Sequence, residues 1–293
     1  TLKITRQDGT ETYVGFTGTP VDATLDVFGD VVDSYTMNES VQDEITVRLV
    51  YEGRAAKVLL DNKKLQEIED YYKKCQENDG ASTYAVEESK KAMANMRLIL
   101  GNPDRIKAIA EDFVNHYETR VSEGSTIMEK AMFVCASRQI AFNLYQEIIA
   151  LRPEWAEVKD ADDGLYDLCG TKDDRKEHDR QFKNPKSNFK IAIVVDMWLT
   201  GFDVPFLDTI YIDKPIQQHN LIQTISRVNR KFEGKEKGLV VDYIGIKNQM
   251  KLALAHYNKS DAKNFEDVEQ SIIIVKDHLE LLKDLFNKFD TSP

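Results

Sequence analysis

Apolar residues come in short unbroken runs along this chain, and each run ends in polar or glycine-rich residues. YVGF (13–16) precedes Thr17-Gly18-Thr19-Pro20, AMFVC (131–135) precedes Ala136-Ser137-Arg138, and FKIAIVV (189–195) precedes Asp196. TIYI (209–212) leads to Asp213 and GLVV (238–241) to Asp242. Strands covered on both faces show such continuous apolarity, whereas a strand with one wet face alternates. Helical periodicity fills several of the gaps, as in RIKAIAEDFVNHYETR (105–120) and RQIAFNLYQEIIAL (138–151). Alternating strands and helices predict an α/β fold around a parallel sheet. Ligands of such sheets bind beyond the carboxyl ends of the strands, where Thr17, Ser137, Asp196, Asp213 and Asp242 fall together. Each could equally cap the next helix. Their coincidence on one edge marks it as a candidate site.

Further stretches complete the pattern. ITVRLVYEGR (45–54) alternates in part and reads as another strand. Residues 57–100 turn helical and charged, with KKLQEIEDYYKKCQEN and VEESKKAMANMRLIL as two helices before the break at Gly101-Asn102-Pro103. After a polar loop with a short helix at 160–188, helical patterns return in MKLALAHYNK and SIIIVKDHLELLKDLFNKF. LIQTISRVNR (221–230) also reads as a helix. Gln223, Arg227 and Arg230 share one face of it, opposite Leu221, Ile222, Ile225, Val228 and Phe232. A solvated outer face and a pair of arginines held towards an anion give the same periodicity.

Composition narrows the class. At 293 residues, with 42% hydrophobic and 30% charged residues, the chain is globular and has room for about two domains. No apolar run approaches the roughly 20 residues of a membrane span, and TLKITRQDGT lacks the layout of a signal peptide. Cys75, Cys135 and Cys169 have neither metal-ligand nor disulfide-framework spacing, which points to a reducing, cytoplasmic setting. His116, His178, His219 and His256 form no metal-like constellation. A net charge of −11 argues against a broad electrostatic grip on nucleic acid. It leaves room for a narrow track, and Arg227 to Lys237 is locally basic.

Four stretches belong together. GFTGTP (15–20), FVCASRQIA (133–141), VVDMWLTGFDVP (194–205) and QTISRVNR (223–230) stand in the order of motifs III, IV, V and VI of superfamily 2 helicases. With VFGD after TGTP, the LTGFD-x-P wording, YIDKP and VVDYIG, the chain resembles the motor (R) subunit of type I restriction endonucleases. The resemblance runs from about residue 13 to 260. It implies a RecA-like parallel sheet with helices on both faces. Residues 1–54 would be the tail of a first motor domain, 55–102 a helical connector, 103–246 the second motor domain and 247–293 the start of a helical region. The family's phosphate loop, G-x-x-x-x-G-K-S/T, is absent, and Asp43-Glu44 is a poor match to a magnesium-binding box. The chain would thus begin inside the first motor domain, without the family's nuclease, and would not hydrolyse ATP by itself.

By the same resemblance, Arg227 and Arg230 are the arginines presented across the cleft to ATP, with Gln223 nearby. Gly201 and Asp203 meet the nucleotide, although Asp203 also suits a turn before Val-Pro. Thr17, Gly18 and Thr19 couple hydrolysis to strand movement, or simply turn the chain. Ser137, Arg138 and Thr200 are the candidates for phosphate contacts along one DNA strand, with Arg138 equally a first-turn helix residue. Val195 stands where many relatives carry a DNA-contacting threonine. The implied function is part of an ATP-dependent double-stranded DNA translocase, with ATP and Mg2+ as cofactors. Its partners would be DNA and the methyltransferase and specificity subunits, with no membrane. Another superfamily 2 motor and a nucleotide-independent scaffold are the alternatives.

Overall fold

The computed structural model describes residues 2–5, 11–16, 26–29, 31–55, 62–76, 91, 94–156, 170–199, 201–216, 218–257 and 266–267. The expected helix at 271–289 lies outside them. Two strands, β1 (Leu2–Thr5) and β2 (Glu11–Val14), form an antiparallel hairpin. A larger sheet contains β3 (Arg48–Gly53), β4 (Ala131–Cys135), β5 (Ile191–Val194), β6 (Thr209–Asp213), β7 (Lys237–Asp242) and β8 (Glu266–Asp267). Its order is β5-β4-β6-β7-β3-β8, and every pairing is parallel. The fold is therefore α/β, as the strand–helix alternation predicts. Every residue of β4 and β6 is buried, which requires cover on both faces.

The helices follow their sequence signals closely. Met37–Gln42 (α1) starts at Thr36, which forms a capping box with Glu39. Asn62–Gln76 (α2) occupies the charged stretch, and residues 94–100 are also helical. Asn102 caps Pro103–Ser122 (α3), with proline in the first turn where its missing N–H costs nothing. Ser137 caps Arg138–Leu151 (α4) by accepting from Ile140 N at 3.2 Å. A Thr171–Asp174 capping box opens Lys172–Phe182 (α5). Gln218–Ile225 (α6) and Lys247–Tyr257 (α7) follow. No helix among the described residues is long and apolar enough to cross a membrane. Phe113 of α3 packs edge-on against Phe133 of β4 and Tyr211 of β6, which fixes this helix on the sheet.

Three expectations need correction. YVGF does not lie in the parallel sheet: β2 pairs with β1, and Tyr13 and Phe16 are exposed. A four-residue apolar run is too short to say which sheet it joins. The strand in 45–54 sits between β7 and β8, in the sheet expected to start only after residue 102. Leu49, Val50 and Tyr51 are core, buried on both faces of the strand, and Tyr51 donates to Asp242 Oδ2 at 2.6 Å, 191 positions away. The helix of motif VI ends at Ile225, before either arginine. Of the inner face that the periodicity predicts, Leu221, Ile222 and Ile225 are buried within the helix, Val228 is buried beyond its end and Phe232 is half-buried. The following amides, Arg227 to Asn229, bond three residues back rather than four, so the chain tightens and leaves the helix.

Candidate functional site

Since the strands are parallel, the ends of β4, β5, β6 and β7 share one edge, which carries Ser137, Asp196, Asp213 and Asp242. The four play different parts. Asp242 is fully buried and accepts from the amides of Ile244, Gly245 and Ile246 at 2.8, 2.9 and 2.6 Å. Asp213 is buried against Arg105 of α3, with two bonds of 3.1 and 2.5 Å. Both are committed to the fold. Asp196 is exposed beside Lys214, whose ammonium also donates to Val195 O at 2.8 Å. Ser137 spends its hydroxyl oxygen on the α4 cap, and Arg138 follows it, exposed in the first turn.

The loop after β5 is pinned by its apolar residues. Leu199, Phe202, Val204 and Phe206 are buried, and the rings of Trp198 and Phe202 stack at 4.4 Å and 6°. Trp198 holds φ at 68°, in the left-handed region that a tryptophan rarely occupies. Gly201 has φ 67°, and a Cβ there would meet nothing within 4 Å, so its glycine answers to conformation rather than space. Between these anchors the Asp203 side chain stays 60% exposed. Thr200 lies outside the described residues, as do Thr17, Gly18 and Thr19.

The arginines meet this loop. Arg227 donates through Nη1 to the Phe202 carbonyl and through Nε to Gln223 O at 3.0 Å. Burial and then the nearby Arg230 charge lower its pKa, while Asp203 acts in the opposite direction. Arg230 reaches Asp203 at 3.5 Å and is 51% exposed. Gly201, Asp203, Gln223, Arg227 and Arg230 thus belong to one neighbourhood at the carboxyl edge. Two guanidiniums there suit a polyanion, since each presents a planar, permanently charged fork. Among the described residues, no three His, Cys, Asp or Glu side chains group closely enough to hold a metal ion.

Sequence reasoning missed a buried polar seam between α3 and the sheet. Arg105 pairs with Asp213, Asp112 with Arg54 and the Tyr243 hydroxyl, and His116 with Glu52 at 3.2 Å and the Tyr211 hydroxyl at 2.9 Å. Arg120 lies 3.7 Å from Asp208. Burial opposes ionisation of Glu52, but the His116 hydrogen bond and charge, with Arg54, hold its carboxyl down at about 2. The available signal was spacing: residues 105, 112, 116 and 120 fall on one helical face, amid buried Ile109 and Phe113. Asn229 was also missed. It is buried, and its amide donates to Val47 O at 2.5 Å.

Residues 35–245 match a family model described as type I restriction enzyme subunit R domain 3. The HindI endonuclease subunit of Haemophilus influenzae is 36% identical over 298 residues, covering 94% of this chain and 27% of that protein. A Methanocaldococcus jannaschii protein named as the MjaIXP endonuclease subunit is 33% identical over 264 residues, covering 86% of this chain and 25% of its own length. The chain spans about a quarter of these curated relatives. A solved fragment assigned as an HsdR subunit of a type I restriction enzyme from Vibrio vulnificus superposes with a TM-score of 0.53. It is 15% identical, over 85% of this chain and 42% of that one, so it bears on fold alone.

Proposed function

Given that the chain belongs to the type I restriction enzyme R subunit family, we propose that it forms part of an ATP-driven motor that moves double-stranded DNA. The observation that carries this reading is the meeting of the Gly201–Asp203 loop with Arg227 and Arg230 at the carboxyl edge of one parallel sheet. Phosphoryl transfer gathers negative charge on the transferring group, and catalysis consists mainly of positioning and electrostatic stabilisation. Arg230, exposed and only loosely paired with Asp203, is the arginine free to turn towards phosphate. Arg227 is tethered to the loop carbonyl and holds loop and arginine segment together. Gln223 stands beside it, and Asp203 suits a ribose hydroxyl.

ATP supplies the phosphoanhydride when bound. The phosphate loop and the carboxylates for Mg2+ belong to the rest of the complete subunit, so hydrolysis requires closure of a second lobe on this edge. The 293-residue chain alone should release no phosphate above background. Thr17, Gly18 and Thr19 are proposed to couple closure to movement, and Ser137, Arg138 and Thr200 to follow one DNA strand through its phosphates. Cytoplasmic residence with methyltransferase and specificity subunits completes the reading.

The test is Arg230→Ala in the complete subunit. Losses on the order of 10³-fold in turnover are typical when such an arginine is removed, and ATP affinity should change far less. Melting should stay close to wild type, because an exposed side chain away from the core usually contributes within about 0.5 kcal/mol. Unchanged DNA-stimulated ATPase in the folded variant would refute the assignment.

A further inference from the structure

Motif VI has an unbroken helical pattern, yet the chain leaves the helix between Ile225 and Arg230. Something must hold Arg227–Lys231 in that irregular path. The segment just before β3 lies against it. Val47 N donates to Asn229 O at 3.1 Å, and the Asn229 amide donates to Val47 O at 2.5 Å. Thr46 and Arg230 form an antiparallel bridge, and Lys231 reaches Glu44 at 2.9 Å. From the sheet side the path is closed by β7: a Cβ on Gly238 would sit 2.1 Å from the Val228 carbonyl oxygen. Only glycine permits that approach.

Resting on the motor reading above, we propose that Asn229 is the positioning residue for Arg230. By exchanging hydrogen bonds with both backbone groups of Val47, it fixes the arginine in an extended segment aligned on residues 44–47. Asn229 is buried and its side-chain amide is spent on Val47 O, so it acts through its neighbour. Asparagine suits the place because one short side chain offers a donor to a carbonyl while its own backbone carbonyl accepts. The arrangement also links the arginine to the chain leading into β3. A displacement of residues 44–47 would be felt at Arg230 without passing through the nucleotide.

A double-mutant cycle in the complete R subunit tests this, with Asn229→Ala, Arg230→Ala and both together. The readings are DNA-stimulated kcat, KM for ATP and melting temperature. Asn229→Ala should lower kcat roughly tenfold to a hundredfold, the scale of an ångström-sized misplacement, with KM much less affected. In the Arg230→Ala background it should cost nothing more, because the group it positions is already gone. A wild-type kcat for folded Asn229→Ala, or an equal loss in both backgrounds, overturns the proposal. Arg230→Ala with wild-type kcat would instead overturn the motor reading itself. If Asn229→Ala does not fold, Glu44→Lys replaces it. That exposed change sets like charges across the same pairing and should lower kcat about twofold to fivefold, again only when Arg230 is present. Unchanged kcat there is equally fatal.

Discussion

Two charged clusters sit on this sheet, and they differ in what is left for their charges to do. Under α3, the carboxylates of Glu52, Asp112 and Asp213 bond arginine, histidine or tyrosine partners inside the protein. At the carboxyl edge, Arg230 and Asp203 are both more than half exposed and meet at only 3.5 Å. The first cluster has given up most of its water and replaced it with fixed partners. The second retains water and can exchange it for a ligand. Charge alone therefore says little about function. What matters is whether the fold already satisfies it.

The sharpest way to break the contrast is Asp213→Ala. Removing one member of a buried pair leaves Arg105 charged without its partner and should cost about 3–5 kcal/mol, read as a lower urea midpoint. A midpoint near wild type would mean that the seam is as dispensable as the edge. Acid titration comes next. The Glu52 carboxyl is held at about 2, against an ordinary value of 4.5. The unfolded chain therefore binds more protons between those values, and stability falls as pH drops through that window. The contribution is fully present above about pH 4.5 and should amount to roughly 2 kcal/mol after allowance for partial exposure. Glu52→Gln should flatten that part of the pH–stability curve, and an unaltered acid limb would show that the pair is not coupled to folding. The smallest effect belongs to the edge itself. Asp203→Ala should lower the unfolding free energy from urea titration by no more than about 0.5 kcal/mol, because the lost ion pair is wet and loose. A larger loss would move Asp203 into the structural class.

Most of the parallel sheet was legible because its strands carry their burial in their own residues. β4, β6 and β7 fall within a residue or so of the apolar runs, and α4 spans the periodic segment 138–151. What escaped was non-local. β3 reads as a strand from its own alternation, but its place beside β7 depends on residues nearly two hundred positions away. Motif VI misled for a related reason. Val228 continues the buried stripe, so the 3.6-residue rhythm outlasts the helix, and only the bonds to Val47 redirect the chain. The grouping of Arg227, Arg230, Gly201 and Asp203 was anticipated through the order of motifs. The seam under α3 was not, since charged residues at helical spacing usually face solvent.

The position of β3 has a practical consequence for anyone dividing this molecule. A lobe begun at residue 55 would appear reasonable from the helical connector that follows, but it would lack the neighbour that covers the flank of β7. Leu239, Val240 and Val241 would then line an open row of amides and carbonyls, apolar on both sides, with a charge only at its ends, Lys237 and Asp242. Such a row is a template for adding strands from other molecules. The truncated lobe would self-associate for want of a strand that lies nearly two hundred residues ahead of its partner β7.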